Sequence, residues 1–201
     1  MFNDQQRLTE AVLDGRKTQT RRAIRLKDGE YVNVVALDNG SFMSYVAKKG
    51  CLTAHVGDIE LPEYVRPLTP NYSIGTEVAV AQRYSECNRA VCLLDSKGWN
   101  NKMFTKALLL PHRIRIINIR VERLQDISDE DCLKEGIDRC EKEWGYWEGD
   151  NGFLNFYACD TIKEAFAALI DKTCGNGTWE RNPYVLKQRV FRNTIHYCMG
   201  K

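Results

Sequence analysis

Long apolar runs, clustered metal ligands and a glycine-rich phosphate loop are all missing from this 201-residue chain. No stretch approaches the roughly 20 apolar residues of a membrane span, and the N-terminus lacks the apolar core of a secretory signal. No membrane partner is expected, and the chain reads as cytoplasmic. Histidine is scarce, with only His55, His112 and His196, far apart in sequence. Structural zinc needs clustered ligands, so no metal and no cofactor is expected. The eight cysteines contain no C-x-x-C pair, and Cys87 and Cys92 form at most a half-site without a second half. With no secretory signal they read as reduced thiols rather than a disulfide framework. Repeats and low-complexity tracts are absent too, and composition is that of one ordinary globular domain spanning residues 1–201.

What is present is an uneven distribution of charge. Positions 16–27 hold six Lys/Arg and no Asp/Glu, although the whole chain has 29 basic and 27 acidic residues. At the centre of this run lies Gly15-Arg16-Lys17-Thr18-Gln19-Thr20-Arg21-Arg22. Leu8, Ala11 and Val12 recur at helical spacing before it, with Asp4 as an N-terminal cap and Gly15 as the stop, so the run is expected on a helix-terminal loop. Arginine forks, a lysine point charge and hydroxyl donors together suit an anionic ligand such as phosphate. The competing reading is a solvated basic turn. Residues 126–150 have the opposite sign, with ten acidic residues against Lys134, Arg139 and Lys142.

The element pattern is mixed. Alternating pieces at 31–35 and 42–46 flank Asp38-Asn39-Gly40, a hairpin signal. Ile74-Gly75-Thr76-Glu77 reads as a turn into a strand at Val78-Ala79-Val80-Ala81. The strongest strand covers 113–124, and its apolar phase slips between Ile116 and Ile117, as at a β-bulge or bend. Arg113, Arg115, Arg120 and Arg123 interleave with those apolar residues, giving either a cationic sheet face or a merely solvated one. Ser128 opens a short helix closed by Gly136. Residues 145–155, with Trp147 and Phe153, read as a loop with aromatic anchors that can act as a lid. Thr161 and Glu164 form a capping box ahead of the stripe Ala165, Phe166, Leu169 and Ile170, and a last strand is expected over 184–191.

Three blocks carry a resemblance to a known family. These are Gly15-Arg16-Lys17-Thr18-x-Thr20-x-Arg22, then 120–131 with Glu135-Gly136-Ile137, then Trp179-x-x-Asn182-Pro183-Tyr184-Val185. Together they resemble the ASCH domain family, and more narrowly its longer members from phages and prophages. The resemblance frames nearly the whole chain, with residues 27–71 and 145–158 as variable insertions. It implies an α+β fold built on a PUA-like β-barrel with surrounding helices, a cleft beside the Lys-Thr loop, and RNA or nucleotide binding.

Some small family members are amidohydrolases that remove the acetyl group from N4-acetylcytidine with a lysine, a threonine and a glutamate. Matched motif to motif, these fall on Lys17, Thr20 and Glu135. Chemically, a lysine crowded by Arg16, Arg21 and Arg22 gives up its proton more readily and can activate the Thr20 hydroxyl, with Glu135 as proton shuttle. Read alone, Glu135 is an exposed residue near a helix end. One departure is Ala81-Gln82, where longer relatives often carry an arginine and a carboxylate. The function expected is nucleic-acid or nucleotide binding, and two alternatives stand behind it. The expected ligand is RNA, single-stranded nucleic acid or a modified nucleoside, with Arg16, Arg21, Arg22, Arg113, Arg115 and Arg120 on phosphates and Tyr84, Trp99 or Trp179 as stacking platforms. The first alternative is amide hydrolysis or RNA cleavage. The other is a phage interaction protein that binds an acidic protein partner.

Overall fold

The computed structural model describes residues 2, 4–36, 42–48, 53–56, 59–62, 65–68, 70–87, 94–149 and 154–194. In chain order they form α1 (Leu8–Leu13), β1 (Gln19–Ala23), β2 (Glu30–Ala36), β3 (Phe42–Lys48), β4 (Thr53–Val56), β5 (Ile59–Pro62), β6 (Val65–Pro67) and β7 (Glu77–Ala79). Then follow β8 (His112–Arg123), α2 (Asp129–Lys134), β9 (Asp138–Cys140), β10 (Glu143–Glu148), β11 (Asn155–Cys159), α3 (Ile162–Cys174), α4 (Thr178–Arg181) and β12 (Tyr184–Thr194). The class is α+β, and every strand pairing among the described residues is antiparallel. Among the described residues the strands make four sheets, ordered β1-β12-β8-β7, β11-β10-β9, β2-β3-β6 and β4-β5, and none of these closes into a barrel. Among the described residues no helix is long and apolar enough to cross a membrane.

The β1-β12-β8-β7 sheet positions everything that follows. Its long central pair, β8 and β12, runs in register from Tyr184 opposite Arg123 to Thr194 opposite His112, with a shift at Arg189/Val190. Asn118 faces Arg189 and Ile116 faces Val190, so Ile117 is the extra residue, where the apolar phase slips in the sequence. The shift lets Ile114 and Ile116 share one core with Val190, Val12 and Val80. On the opposite face Val185 joins a larger core with Phe166, Leu169 and Ile170 of α3 and Leu124, Ile127 and Cys132 around α2. α3 forms as its sequence dictates: Thr161 and Glu164 make the capping box, and its apolar stripe is buried.

Several expectations need correction. Arg7, in a left-handed conformation and without a side-chain cap, precedes α1 instead of Asp4, whose carboxylate accepts the Thr9 hydroxyl at 2.6 Å. The cationic run is only half loop, because Gln19 to Arg22 are already strand. Residues 143–148 are a strand paired on both sides, so the aromatic loop expected from 145 onward begins as regular sheet. Gly145 serves that sheet: a Cβ there would lie 2.1 Å from the Tyr157 carbonyl oxygen. The remainder of that expectation at 150–153, and the Asp38-Asn39-Gly40 turn between the paired strands β2 and β3, lie outside the described residues.

Candidate active site

The Lys-Thr run is anchored to the C-terminal end of α2. The Thr18 amide donates to the Lys134 carbonyl at 2.9 Å, and the Lys17 ammonium donates to the Glu135 carbonyl at 2.7 Å. Carbonyls at a helix end have no partner within the helix, and a cation there also complements the helix dipole. The same ammonium donates to Glu135 Oε2 at 2.6 Å. Lys17 and Glu135 side chains are only 4% and 5% exposed. Glu135 is therefore a buried partner of Lys17 rather than a solvated residue. Gly136, at φ 104°, makes the approach possible, since a Cβ there would meet Leu8 of α1 at 3.1 Å.

Arg21 completes the pairing. Its side chain is fully buried and donates to Glu135 Oε1 at 2.8 Å, to Glu122 Oε1 at 2.7 and 2.9 Å and to Asp131 Oδ2 at 3.0 Å. Asp131 also accepts from Gln19 at 2.9 Å and from the Lys187 ammonium. Lys187 lies 3.5 Å from Glu122 as well. Three cations, Lys17, Arg21 and Lys187, thus face three carboxylates, Glu122, Asp131 and Glu135. Burial opposes the charge on Arg21, but Glu135 and Glu122 outweigh it and raise its pKa. Burial likewise opposes the Asp131 carboxylate, yet hydrogen bonds from Lys187 and Gln19, the Lys187 charge and the Arg21 hydrogen bond hold its pKa down at about 2.

On the other face of β1 stand Thr20 and Arg22. Thr20 is half-buried and Arg22 exposed, and neither side chain makes a hydrogen bond or ion pair with any described residue. Lys17, Thr20, Arg22 and Glu135 all line one open cavity of about 410 Å³, with Phe2, Leu8 and the Phe166, Leu169 and Ile170 stripe of α3 forming its apolar wall. The three residues matched to the amidohydrolase motif, far apart in sequence, therefore share a cavity. The lysine is oriented by its carboxylate and by a backbone carbonyl; the cationic crowding expected around it is relieved, because Arg21 is neutralised and Arg16 faces Asp14 and Asp138, each at 3.4 Å.

The remaining sequence-predicted site residues scatter. Tyr84 is 2% exposed, and its hydroxyl accepts from the Lys106 amide at 2.7 Å, so its ring is closed to a nucleobase. Trp179 packs edge-on against Phe166 at 6.0 Å, which commits it to the core. Trp99 is half-buried, far in sequence from the site. Arg113 donates to the Ala107 carbonyl at 3.4 Å, Arg115 pairs with Glu77 at 2.8 Å, and Arg120 is exposed without an ion pair to any described residue. Gln19, Glu122, Asp131 and Lys187 were not foreseen as parts of this arrangement. Their signal in sequence is faint: each is a charged or amide residue in a strand or first helical turn. Among the described residues no cluster of His, Cys, Asp and Glu can hold a metal ion, and Cys132, Cys140, Cys159 and Cys174 are free thiols, Cys132 with its pKa pushed up to about 12 by burial. Comparison with protein-family models, with curated proteins and with solved structures finds no match to this chain.

Proposed function

We propose that the cavity beside β1 holds a modified nucleoside and that Lys17, Thr20 and Glu135 hydrolyse its acyl amide, as in an N4-acetylcytidine-type amidohydrolase. The observation that carries the reading is the meeting of a buried Lys17–Glu135 pair with an uncommitted threonine hydroxyl in one cavity. In this scheme the Thr20 oxygen bonds to the acyl carbon while its proton passes to the Lys17–Glu135 pair. The carbon–nitrogen bond then breaks, and the pair returns that proton to the departing amine. Water adds to the acylated Thr20, releases the carboxylic acid and restores the hydroxyl. Arg22 supplies the charge for the carbonyl oxygen as it becomes an oxyanion.

On the same reading the chain is an ASCH-type protein of the PUA-like superfamily, in which β1, β12, β8 and β7 are the wall behind the cleft. Recognition of RNA or of single-stranded nucleic acid rests on fewer groups than the sequence suggests, because Arg21 is buried and Arg16 and Arg115 face carboxylates.

The test is mass spectrometry of N4-acetylcytidine and of single-stranded RNA after incubation with the parent, Lys17→Ala and Thr20→Val proteins. The expected result is cytidine and acetate from the parent alone, with each variant at least about a hundredfold slower. Turnover by Thr20→Val close to that of the parent would exclude the threonine as nucleophile. RNA fragments with intact acetyl groups would turn the reading toward phosphodiester cleavage.

A further inference from the structure

A second, smaller cavity adjoins the first. It measures about 190 Å³ and shares Thr20, Arg22 and Phe2 with it, so the two spaces meet at the threonine. Its walls are apolar, built from Val78 and Ala79 of β7, Ile114 and Ile116 of β8 and Val190 of β12. Beside Thr20, Arg22 and Tyr72, one further polar side chain interrupts those walls. Gln188 lines the cavity, is 5% exposed, and its amide hydrogen-bonds no described residue. The Gln188 amide is not among the sealed, partnerless polar atoms of the described residues, so its nitrogen and oxygen open onto the cavity. A donor and an acceptor that line a largely apolar cavity, and that no described residue occupies, are available to a ligand seated there.

The register ties this amide to the reacting group. Gln188 of β12 is the cross-strand partner of Thr20 of β1. Cross-strand partners stand on the same face of a sheet with Cβ atoms roughly 5 Å apart, so the Gln188 amide is held directly beside the threonine hydroxyl. An apolar cavity of about 150 Å³ takes up benzene. A space of this size therefore admits one six-membered ring, and the glutamine adds a donor and an acceptor side by side at its edge. An alkyl acyl group would satisfy the walls and leave the amide unmet, whereas a pyrimidine satisfies both.

We infer that the second cavity is the base subsite for the reaction proposed above, and that Gln188 is its specificity-determining residue, pairing with the ring nitrogen and amine edge of a cytosine-type pyrimidine. The inference rests on the amidohydrolase reading for the position of the scissile amide, but base binding itself needs no turnover. With the ring seated there, its exocyclic nitrogen lies toward Thr20 and the acyl group extends into the larger cavity toward Lys17 and Glu135. Glutamine reads base edges bidentately, which gives selectivity that apolar walls alone lack.

The experiment is calorimetric titration of cytosine, and separately of toluene as an apolar ring of similar shape, into the parent, Gln188→Met and Gln188→Leu proteins. Methionine keeps the length of glutamine and leucine the approximate volume, and thermal unfolding reports that each variant folds. Because the Gln188 amide bonds no described residue, its replacement is expected to leave the melting temperature close to that of the parent. The expected result is cytosine binding about tenfold or more weaker in the variants, with toluene binding equal or tighter. Equal cytosine affinity in the parent and Gln188→Met proteins, or no cytosine binding by the parent, overturns the subsite. Adding N4-acetylcytidine separates the two readings. Intact acetyl groups alongside Gln188-dependent cytosine binding would sink the hydrolase and leave the subsite, and acetyl release with an unchanged KM in Gln188→Met would do the reverse.

Discussion

The two faces of β1 differ in how completely the fold uses their polar groups. On one face Gln19 and Arg21, with Lys187 of β12, are tied into carboxylates from β8 and the α2 region, and their hydrogen-bonding groups meet partners within the protein. On the other, Thr20, Arg22 and Gln188 line cavities and bond no described side chain. Alternation along a strand sends neighbours to opposite sides, so residues adjacent in sequence do different work. The paired face holds the sheet to α2. The unpaired face is where a ligand's polar groups find partners, and Lys17 with Glu135 joins the two, since Glu135 accepts from Arg21 with one oxygen and from Lys17 with the other.

The largest expected effect comes from breaking the paired face. Arg21→Met removes the donor that reaches all three carboxylates while Lys17 and Lys187 remain, leaving one buried negative charge uncompensated. Loss of one partner from a buried pair typically destabilises by about 3–5 kcal/mol. Urea unfolding of this variant beside Gln188→Met measures the contrast directly. A loss below about 1 kcal/mol in Arg21→Met would mean that water reaches the network and that the two faces do not differ as described.

Next in size is a dependence on acid. Asp131 has a folded pKa of about 2 against an ordinary value of 3.8, so it contributes roughly 2 kcal/mol of stability. Because the folded pKa is the lower one, that contribution is fully present above pH about 4 and is lost as pH falls toward 2. Asp131→Asn should flatten this part of the stability profile, read as the unfolding midpoint across pH 2 to 6. An unchanged slope in the variant would place the acid sensitivity in other carboxylates.

How much of this was legible beforehand depends on the range of the interactions involved. The α3 capping box, the Ser128 helix start, the β2-β3 pairing and the Ile117 bulge are set by residues a few positions apart, and their patterns are visible in the chain. The fate of each cation is not. Arg21 and Arg22 are neighbours with the same charge, yet Arg21 meets carboxylates 101 to 114 residues away and Arg22 meets none among the described residues. Tyr84 looks like any aromatic available for stacking until the chain around Gly98 closes over it, where a Cβ would sit 2.5 Å from the ring. Gln188 did leave a trace: it occupies the phase of Leu186 and Val190 in β12, and an amide in an apolar phase is a question the rest of the fold must answer.

The smallest expected effect decides which face an anionic ligand touches. Arg22 lines both cavities, whereas Arg120 is the cross-strand partner of Lys187 and lies on the paired face. Arg115 is already satisfied by Glu77 and serves as the control. For a single-stranded oligonucleotide, each phosphate contact contributes about 0.7 to the slope of log affinity against log salt. Arg22→Ala should reduce that slope by this amount, and Arg115→Ala should leave it unchanged, with stability in both altered by less than about 0.5 kcal/mol. A reduced slope in Arg120→Ala with none in Arg22→Ala would move the phosphate path to the opposite side of the sheet. Thr20 would then have no part in binding it, because no side chain reaches through its own strand.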